Sequence, residues 1–559
     1  MPINPRLAMS PEQLYLVEQA MRELDARYDP EVQMIWEDEH CHSTRESAHY
    51  ALGLLLRDEK DDVAVASRVI DRVLEMQIVK DHEIYDGTFK TSPERPLPPE
   101  GFTAWGTFPP GYGYAISDAL DEVYRRFAEY SKLSQAMFSL FRQAVDEVIP
   151  RVWRSFDPNW REFIACTFAI ILEHYEEKLP ARQVQQMDQA MKRTVAASLE
   201  RYLTQSIPTN TNIELMHLFI AHYYGHRYQR LDWMTHAEQG AAKLYIDYME
   251  LHSFAEFNSS TYYGVDLTVL GMWRQYSRTA SFRRIGRELE YGLWEDIAEF
   301  YEPNLENICG PFARSYENEI TEHSSIGVLL YLALGSGYRH LTVVNCETSH
   351  DPMIALVGVE VPEEVRQRLI YSRGERFAYR QFKELCERDL PGKNRNVCTA
   401  RAWISERLMI GGMSGSRNTN GQMHNATAHW LDDKGRRYSL RMVRREVGQT
   451  WNSHLRGMYF NVETGVRELN ISAELHCSVP VELVFEIGGP ELKGLEITSG
   501  SWKLPGLTVE VVADAPEPTL VLTDGKAEIV YPAHTANGVW NEMRFDLRFY
   551  QVSQDDGIQ

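Results

Sequence analysis

WREFIACTFAIILEHYEEKL, residues 160–179, is the stretch on which the fold turns. From Phe163 to Leu172 only Thr167 is polar, so a helix here is apolar around most of its circumference. A surface helix shows one apolar stripe, whereas a helix without a polar face has to be walled in by its neighbours. The flanking sequence supplies those neighbours. SPEQLYLVEQAMRELDARY (10–28) opens with Ser10 as an N-cap and Pro11 at the first helical position. Residues 45–58, 63–78, 184–203, 213–229, 233–252 and 282–301 also carry apolar residues at helical spacing. Eleven or twelve helices with no strand signal between them predict helical hairpins arranged in a ring or toroid.

After about residue 350 the period changes. ALVGVEV (355–361), CTARAWISERLMIGG (398–412), RYSLRMVR (437–444), VELVFEIGG (481–489) and MRFDLRFYQV (543–552) alternate or run β-branched, with Asp-Gly and Gly-Gly turn signals between strands. The helix 363–370 and RFAYRQFKELCERD (376–389) read as insertions near the start of this half. The prediction is an α+β multidomain chain, with an (α/α) toroid over residues 1–345 and an antiparallel β-sandwich over residues 346–559.

At 559 residues the chain is long enough to bury sizeable cores. Its net charge, 58 − 80 = −22, argues against nucleic-acid or anionic-membrane partners and leaves an anionic substrate to a locally basic pocket. Seven scattered cysteines contain no CxxC pair, so neither a disulfide framework nor a thiolate zinc site is indicated. No apolar run approaches the roughly 20 residues of a membrane helix, and the start lacks a basic, apolar leader. The expectation is a cytoplasmic protein that acts on imported fragments, alone or as a homo-oligomer.

Two stretches carry more polar or aromatic side chains than a connection needs. KTSPERPLPPEGFTAWGTFPPGYGYA (90–115) includes Phe102, Trp105, Phe108, Tyr112 and Tyr114, which suit stacking on sugar rings, or sealing the ring. FNSSTYYGVDLTVLGMW (257–273) crowds Asn258, Ser259, Ser260, Thr261, Tyr262 and Tyr263 at one helix start, with Glu256 before it and Asp266 just inside. One side-chain oxygen caps a helix start. The surplus predicts a wet, ligand-facing turn, because burying such groups unpaired costs about 1–3 kcal/mol each.

A helical toroid followed by a β-sandwich resembles the heparinase II/III-like and alginate-lyase-like polysaccharide lyases. NTNIELM (210–216), FNSSTYYGVD (257–266), GPFARSYENEI (310–320) and GGMSGSRNTNGQMHNATAHW (411–430) carry the resemblance. It implies β-elimination on a uronic-acid chain: a neutralised C5 carboxylate, a base for the C5 proton and an acid for the leaving oxygen. On that template Asn212 neutralises the carboxylate, Tyr262 or Tyr263 moves the proton, and His424 serves as base. Asn258, Arg314, Tyr316, Trp105 and Asp266 contact substrate. No cofactor and no metal is implied.

Each residue also has a plainer reading. Asn212 could only cap its helix, the tyrosines could only pack, and Arg314 could pair with Glu317 or Glu319. His222 and His226 stand at i, i+4 without the glutamate of HExxH, and His40 and His42 flank Cys41 without further ligands nearby. A glycoside hydrolase on the same toroid would use paired carboxylates, with Glu256 and Asp266 foremost and Asp38, Glu39, Glu317 and Glu319 as other pairs. A third reading is a non-catalytic carbohydrate-binding protein.

Overall fold

The computed structural model describes residues 5–81, 85–95, 97, 157, 159–204, 211–343, 348–384, 396–417, 422–448, 458–476, 480–523 and 525–552. The helices are α1 (Pro11–Arg27), α2 (Thr44–Arg57), α3 (Asp62–Glu75), α4 (Trp160–Tyr175), α5 (Ala181–Thr204) and α6 (Thr211–Tyr228). They continue as α7 (Leu231–Leu251), α8 (Tyr263–Tyr276), α9 (Ala280–Phe300), α10 (Ile326–Leu334), α11 (Asp351–Val357) and α12 (Glu363–Ile370). Ser10 caps α1 in a capping box with Gln13, and Pro11 takes the first position.

Helices α2, α4, α6, α8 and α11 pack side by side in a closed cycle, each backed by an outer helix: α3, α5, α7, α9 and α1 respectively. Composition sorts inner from outer. Nearly all of α4, α6 and α8 is buried, whereas α7 buries the single stripe Trp233, Ala237, Ala241, Leu244 and Tyr248. A cavity within the ring is lined by Phe163, Cys166, Met216, Val265, Met272 and His350, from α4, α6, α8 and the cap of α11.

Two readings of short segments need correction. ALVGVEV, expected as a strand, contains the end of α11, the helix that closes the ring. RFAYRQFK, read with the helical insertion, is strand β1 (Arg376–Lys383), and the change from helix to strand falls between Ile370 and Arg376.

The strands that follow are β2 (Val397–Ile404), β3 (Leu408–Ser414), β4 (Ala426–Leu431), β5 (Arg437–Glu446), β6 (Met458–Gly465), β7 (Glu468–Leu475) and β8 (Val481–Gly488). Then come β9 (Glu496–Ile497), β10 (Ser501–Leu504), β11 (Leu507–Asp514), β12 (Thr519–Thr523), β13 (Lys526–Pro532) and β14 (Glu542–Gln551). They form an eight-stranded sheet ordered β12-β13-β8-β5-β4-β3-β2-β1 and a six-stranded sheet ordered β6-β7-β14-β11-β10-β9. Every pairing within both sheets is antiparallel. Trp403, Ile410, Trp430 and Phe485 of the larger sheet share a core with Phe460, Leu469, Phe545 and Leu547 of the smaller. Phe382, Cys398, Ala400 and Met413 of the larger sheet join the core of the ring. The result is a sandwich with one sheet packed against the helical domain.

Candidate active site at the junction of ring and sandwich

The surplus polar groups before α8 have partners, and those partners are in the protein. Ser259 Oγ donates to the Arg314 carbonyl, and Ser260 Oγ meets both Ser315 Oγ and the Glu317 carbonyl. Thr261 Oγ1 accepts from the Tyr316 amide at 3.0 Å, and Ser259 Oγ caps the Tyr262 amide at 2.9 Å. Asn258, in the left-handed region at φ 51°, sends its carboxamide to the carbonyls of Cys309 and Pro311 at 2.7 and 3.0 Å. The turn is a buckle that holds the 309–317 loop. The expected wet, ligand-facing position is corrected for Asn258, Ser259 and Ser260, all buried at 1 % exposure or less.

The sandwich grips the same loop from the other side. Phe312 and His424 exchange backbone hydrogen bonds of 3.1 and 2.9 Å, and the Gln422 carbonyl takes the Ser315 amide at 2.7 Å. Gln422 Oε1 accepts from Arg314 Nε at 2.7 Å. Arg441 of β5 donates to the Tyr316 carbonyl at 2.6 Å while its guanidinium meets Glu486 at 2.6 Å and Glu317 at 3.2 Å. Residues from both domains thereby fix Arg314 and Tyr316.

These two residues complete a compact network. The Glu256 carboxylate accepts from the Asn212 amide at 2.9 Å, from Asn212 Nδ2 at 3.0 and 2.9 Å, and from Arg314 Nη1 at 2.6 Å. The Arg314 guanidinium lies over the Tyr262 ring, 4.4 Å from its centroid. The Tyr262 hydroxyl is 2.8 Å from the Tyr316 hydroxyl, and both tyrosines are half-buried. Burial holds the Tyr262 phenol well above its ordinary pKa; Arg314 opposes that shift, and Tyr316 and Glu256 add to it. The exposed His323 sets its ring edge-on to Tyr316, with centroids 5.9 Å apart.

The structure thus brings together Asn212, Glu256, Tyr262, Arg314 and Tyr316, and it separates the other candidates from this network. Tyr263 points into the core, where its hydroxyl accepts the Asn258 amide at 2.6 Å, so the proton-transfer expectation for it is corrected. Asp266 is fully buried and has no surface for a substrate contact. Neither carboxyl oxygen of Asp266 has a hydrogen-bond partner, and burial and the Glu256 charge hold its pKa well above the usual carboxylate range. His424 joins the site through its backbone. Its ring is buried, and burial followed by Arg441, Arg444 and Lys526 keeps it neutral, so the expected role as a base is corrected as well. Trp105, with the aromatic loop from residue 98 to residue 115, lies outside the described residues.

His323, Gln422 and Arg441 are site residues that sequence reasoning missed. For His323 the signal was near: it stands three residues beyond the quoted GPFARSYENEI segment. Among the described residues no group of three or more His, Cys, Asp or Glu is placed to hold a metal ion. His222 Nε2 accepts the Arg278 amide at 2.9 Å, and His42 lies between Glu94 and Asp29 at 2.7 and 3.2 Å. No described helix is long and apolar enough to cross a membrane.

Fold and site together define a two-domain protein, a helical toroid with a β-sandwich, whose polar cluster is shared between the domains. The chain belongs to the family described as Domain of unknown function (DUF8769), whose model matches residues 14–110 and 118–355. No curated protein matches it. Among solved structures it is similar to a chondroitin AC lyase of Streptomyces coelicolor A3 in complex with chondroitin sulphate. That match has 10% identity and a TM-score of 0.45, and it covers 98% of this chain and 81% of that one. It is also similar to a heparinase III, with 10% identity, a TM-score of 0.37 and 94% of each chain covered. A third is the heparan sulfate lyase HepC of Pedobacter heparinus, with 8% identity, a TM-score of 0.29 and coverage of 97% and 89%.

Proposed function

We propose that this chain is an enzyme that cleaves uronic-acid-containing oligosaccharides by β-elimination at the junction of ring and sandwich. The observation that carries the reading is the hydrogen-bonded Tyr262–Tyr316 pair resting on Arg314, whose guanidinium shares a carboxylate with Asn212. Removing the proton next to a carboxylate builds negative charge on that group, and preorganised donors lower the barrier most where such charge develops. Arg314 and Asn212 are those donors. The leaving oxygen needs a proton, and burial keeps Tyr262 protonated near neutral pH, which suits it to the acid role and argues against tyrosinate as the base. His323, exposed beside Tyr316, is assigned proton abstraction.

The test is incubation with uronate-containing oligosaccharides, following the ultraviolet absorbance of an unsaturated product. A rise in absorbance with turnover supports the elimination. New reducing ends without unsaturation would replace it with hydrolysis. Binding without turnover would leave a carbohydrate-binding protein.

A further inference from the structure

Glu256 is surrounded as a bound anion would be. Its carboxylate meets a backbone amide at the start of the 18-residue α6, a carboxamide and a guanidinium, all donating. Helix N-termini and arginine forks are general receptors for carboxylates. We propose that Glu256 is a built-in occupant of a carboxylate receptor formed by Asn212 and Arg314, and that the acidic group of a substrate enters by displacing it. The choice of a uronate as that substrate rests on the elimination reading; the receptor itself does not.

Two further observations favour exchange over a permanent bond. Glu256 lies on the irregular segment between α7 and α8, not on a helix, and its backbone amide makes only a 3.5 Å contact, to Thr211 Oγ1. Nothing regular in the backbone holds the side chain in place. Beside it stands Asp266, fully buried, with both carboxyl oxygens unpartnered. Arg314 is the cation near both carboxyl groups, and one guanidinium balances one carboxylate, so an incoming carboxylate replaces Glu256 rather than joining it. The exchange conserves charge, because one carboxylate leaves the receptor as another arrives. The half-buried Tyr262, stacked on Arg314, marks the way in.

The experiment reads binding rather than turnover, so its failure is distinguishable from failure of the elimination reading. Sodium acetate and sodium glucuronate are titrated against native protein, Glu256→Ala, and Glu256→Ala combined with Arg314→Ala, following thermal unfolding. A ligand that binds only the folded state raises the melting temperature in a saturable way. The expected result is a saturable rise in Glu256→Ala, a rise at least tenfold less sensitive to carboxylate in native protein, and none in the double variant. Sodium chloride at equal ionic strength gives no rise. If Glu256→Ala does not fold, Glu256→Gln replaces it, since the amide keeps the volume and removes the competing charge. No response in the single variant, or equal sensitivity in native protein, overturns the proposal.

Discussion

Two clusters of charge flank Tyr316, and they follow opposite rules. On the sandwich side Arg441 and Lys526 meet Glu486 and Glu317, two cations against two carboxylates, and every charge has an opposite within 3.4 Å. On the ring side Arg314 faces Glu256 while Asp266 is left without a partner. The balanced cluster works as a staple, fixing the loop that carries Tyr316. The unbalanced cluster keeps one carboxyl group protonated by burial and by the neighbouring Glu256 charge. What sets the ring side apart is a buried group without compensation, not its position.

The largest expected effect breaks the unbalanced side at its phenol. Tyr262→Phe keeps the ring over Arg314 and removes the hydroxyl shared with Tyr316. Turnover should fall by about 10²–10⁴, the usual contribution of a positioned acid. Thermal unfolding should move by no more than about 1 kcal/mol, one hydrogen bond's worth. Initial rates from product absorbance, alongside melting curves, make the check. Near-native turnover would remove Tyr262 from the reaction and shift attention to His323.

The balanced side should break in stability. Arg441→Ala leaves Glu486, Glu317 and the Tyr316 carbonyl without their shared donor. Removing one partner of a buried ion pair costs about 3–5 kcal/mol, which denaturant unfolding resolves. A loss under about 1 kcal/mol would show that Lys526 alone satisfies the cluster.

Asp266 gives a smaller effect whose sign depends on pH. Its carboxyl has a higher pKa folded than unfolded, so the folded state binds more protons between the two values and stability falls as pH rises through that window. The window opens near the unfolded value of about 4 and closes at the raised folded value. Asp266→Asn removes this titration. The native protein should therefore lose stability relative to the variant as pH rises above about 4, by at most about 1.4 kcal/mol per pH unit. Parallel curves for the two proteins would mean that Asp266 has found a compensating partner.

The fold was legible because burial periodicity is written locally. The nearly continuous apolar run of α4 and the strict alternation of β14 can each be read from a single segment. ALVGVEV misled because a short, mostly apolar stretch fits a buried strand and a buried helix equally well. Half of the site was legible too, in the polar turn and in the Arg314–Tyr316 loop. The rest depended on distance. The partners of Ser259, Ser260 and Thr261 stand more than fifty residues away in the chain. Gln422 and Arg441 lie more than a hundred residues beyond the groups they orient. The density of the turn signalled many hydrogen bonds, and whether they go to solvent, ligand or protein is decided by tertiary contact. Asp266 stands in the first turn of α8, where an acid is favoured; only the packing around it shows a carboxyl group with no partner.

The smallest expected effect is the sharpest contrast, because it concerns the neighbour of Tyr262 in sequence. Tyr262 is the cap of α8 and faces Arg314 and Tyr316, while Tyr263 is the first helical residue and turns into the core. Two adjacent phenols at a helix start point in different directions, so one hydroxyl meets the candidate site and the other meets a backbone amide. Tyr263→Phe removes the acceptor of the Asn258 amide, a buried donor on the segment that ties down the Cys309 and Pro311 carbonyls. Stranding that amide should cost about 1–3 kcal/mol of stability, reduced towards the lower end if Asn258 shifts to reach another acceptor. Turnover per folded molecule should stay within about threefold of native, since under 1 kcal/mol of that cost reaches Arg314 through the buckle. Paired melting curves and initial rates for the two Phe variants decide the matter. A catalytic loss in Tyr263→Phe as large as that in Tyr262→Phe would mean that the buckle, not the Tyr262 phenol, sets the chemistry.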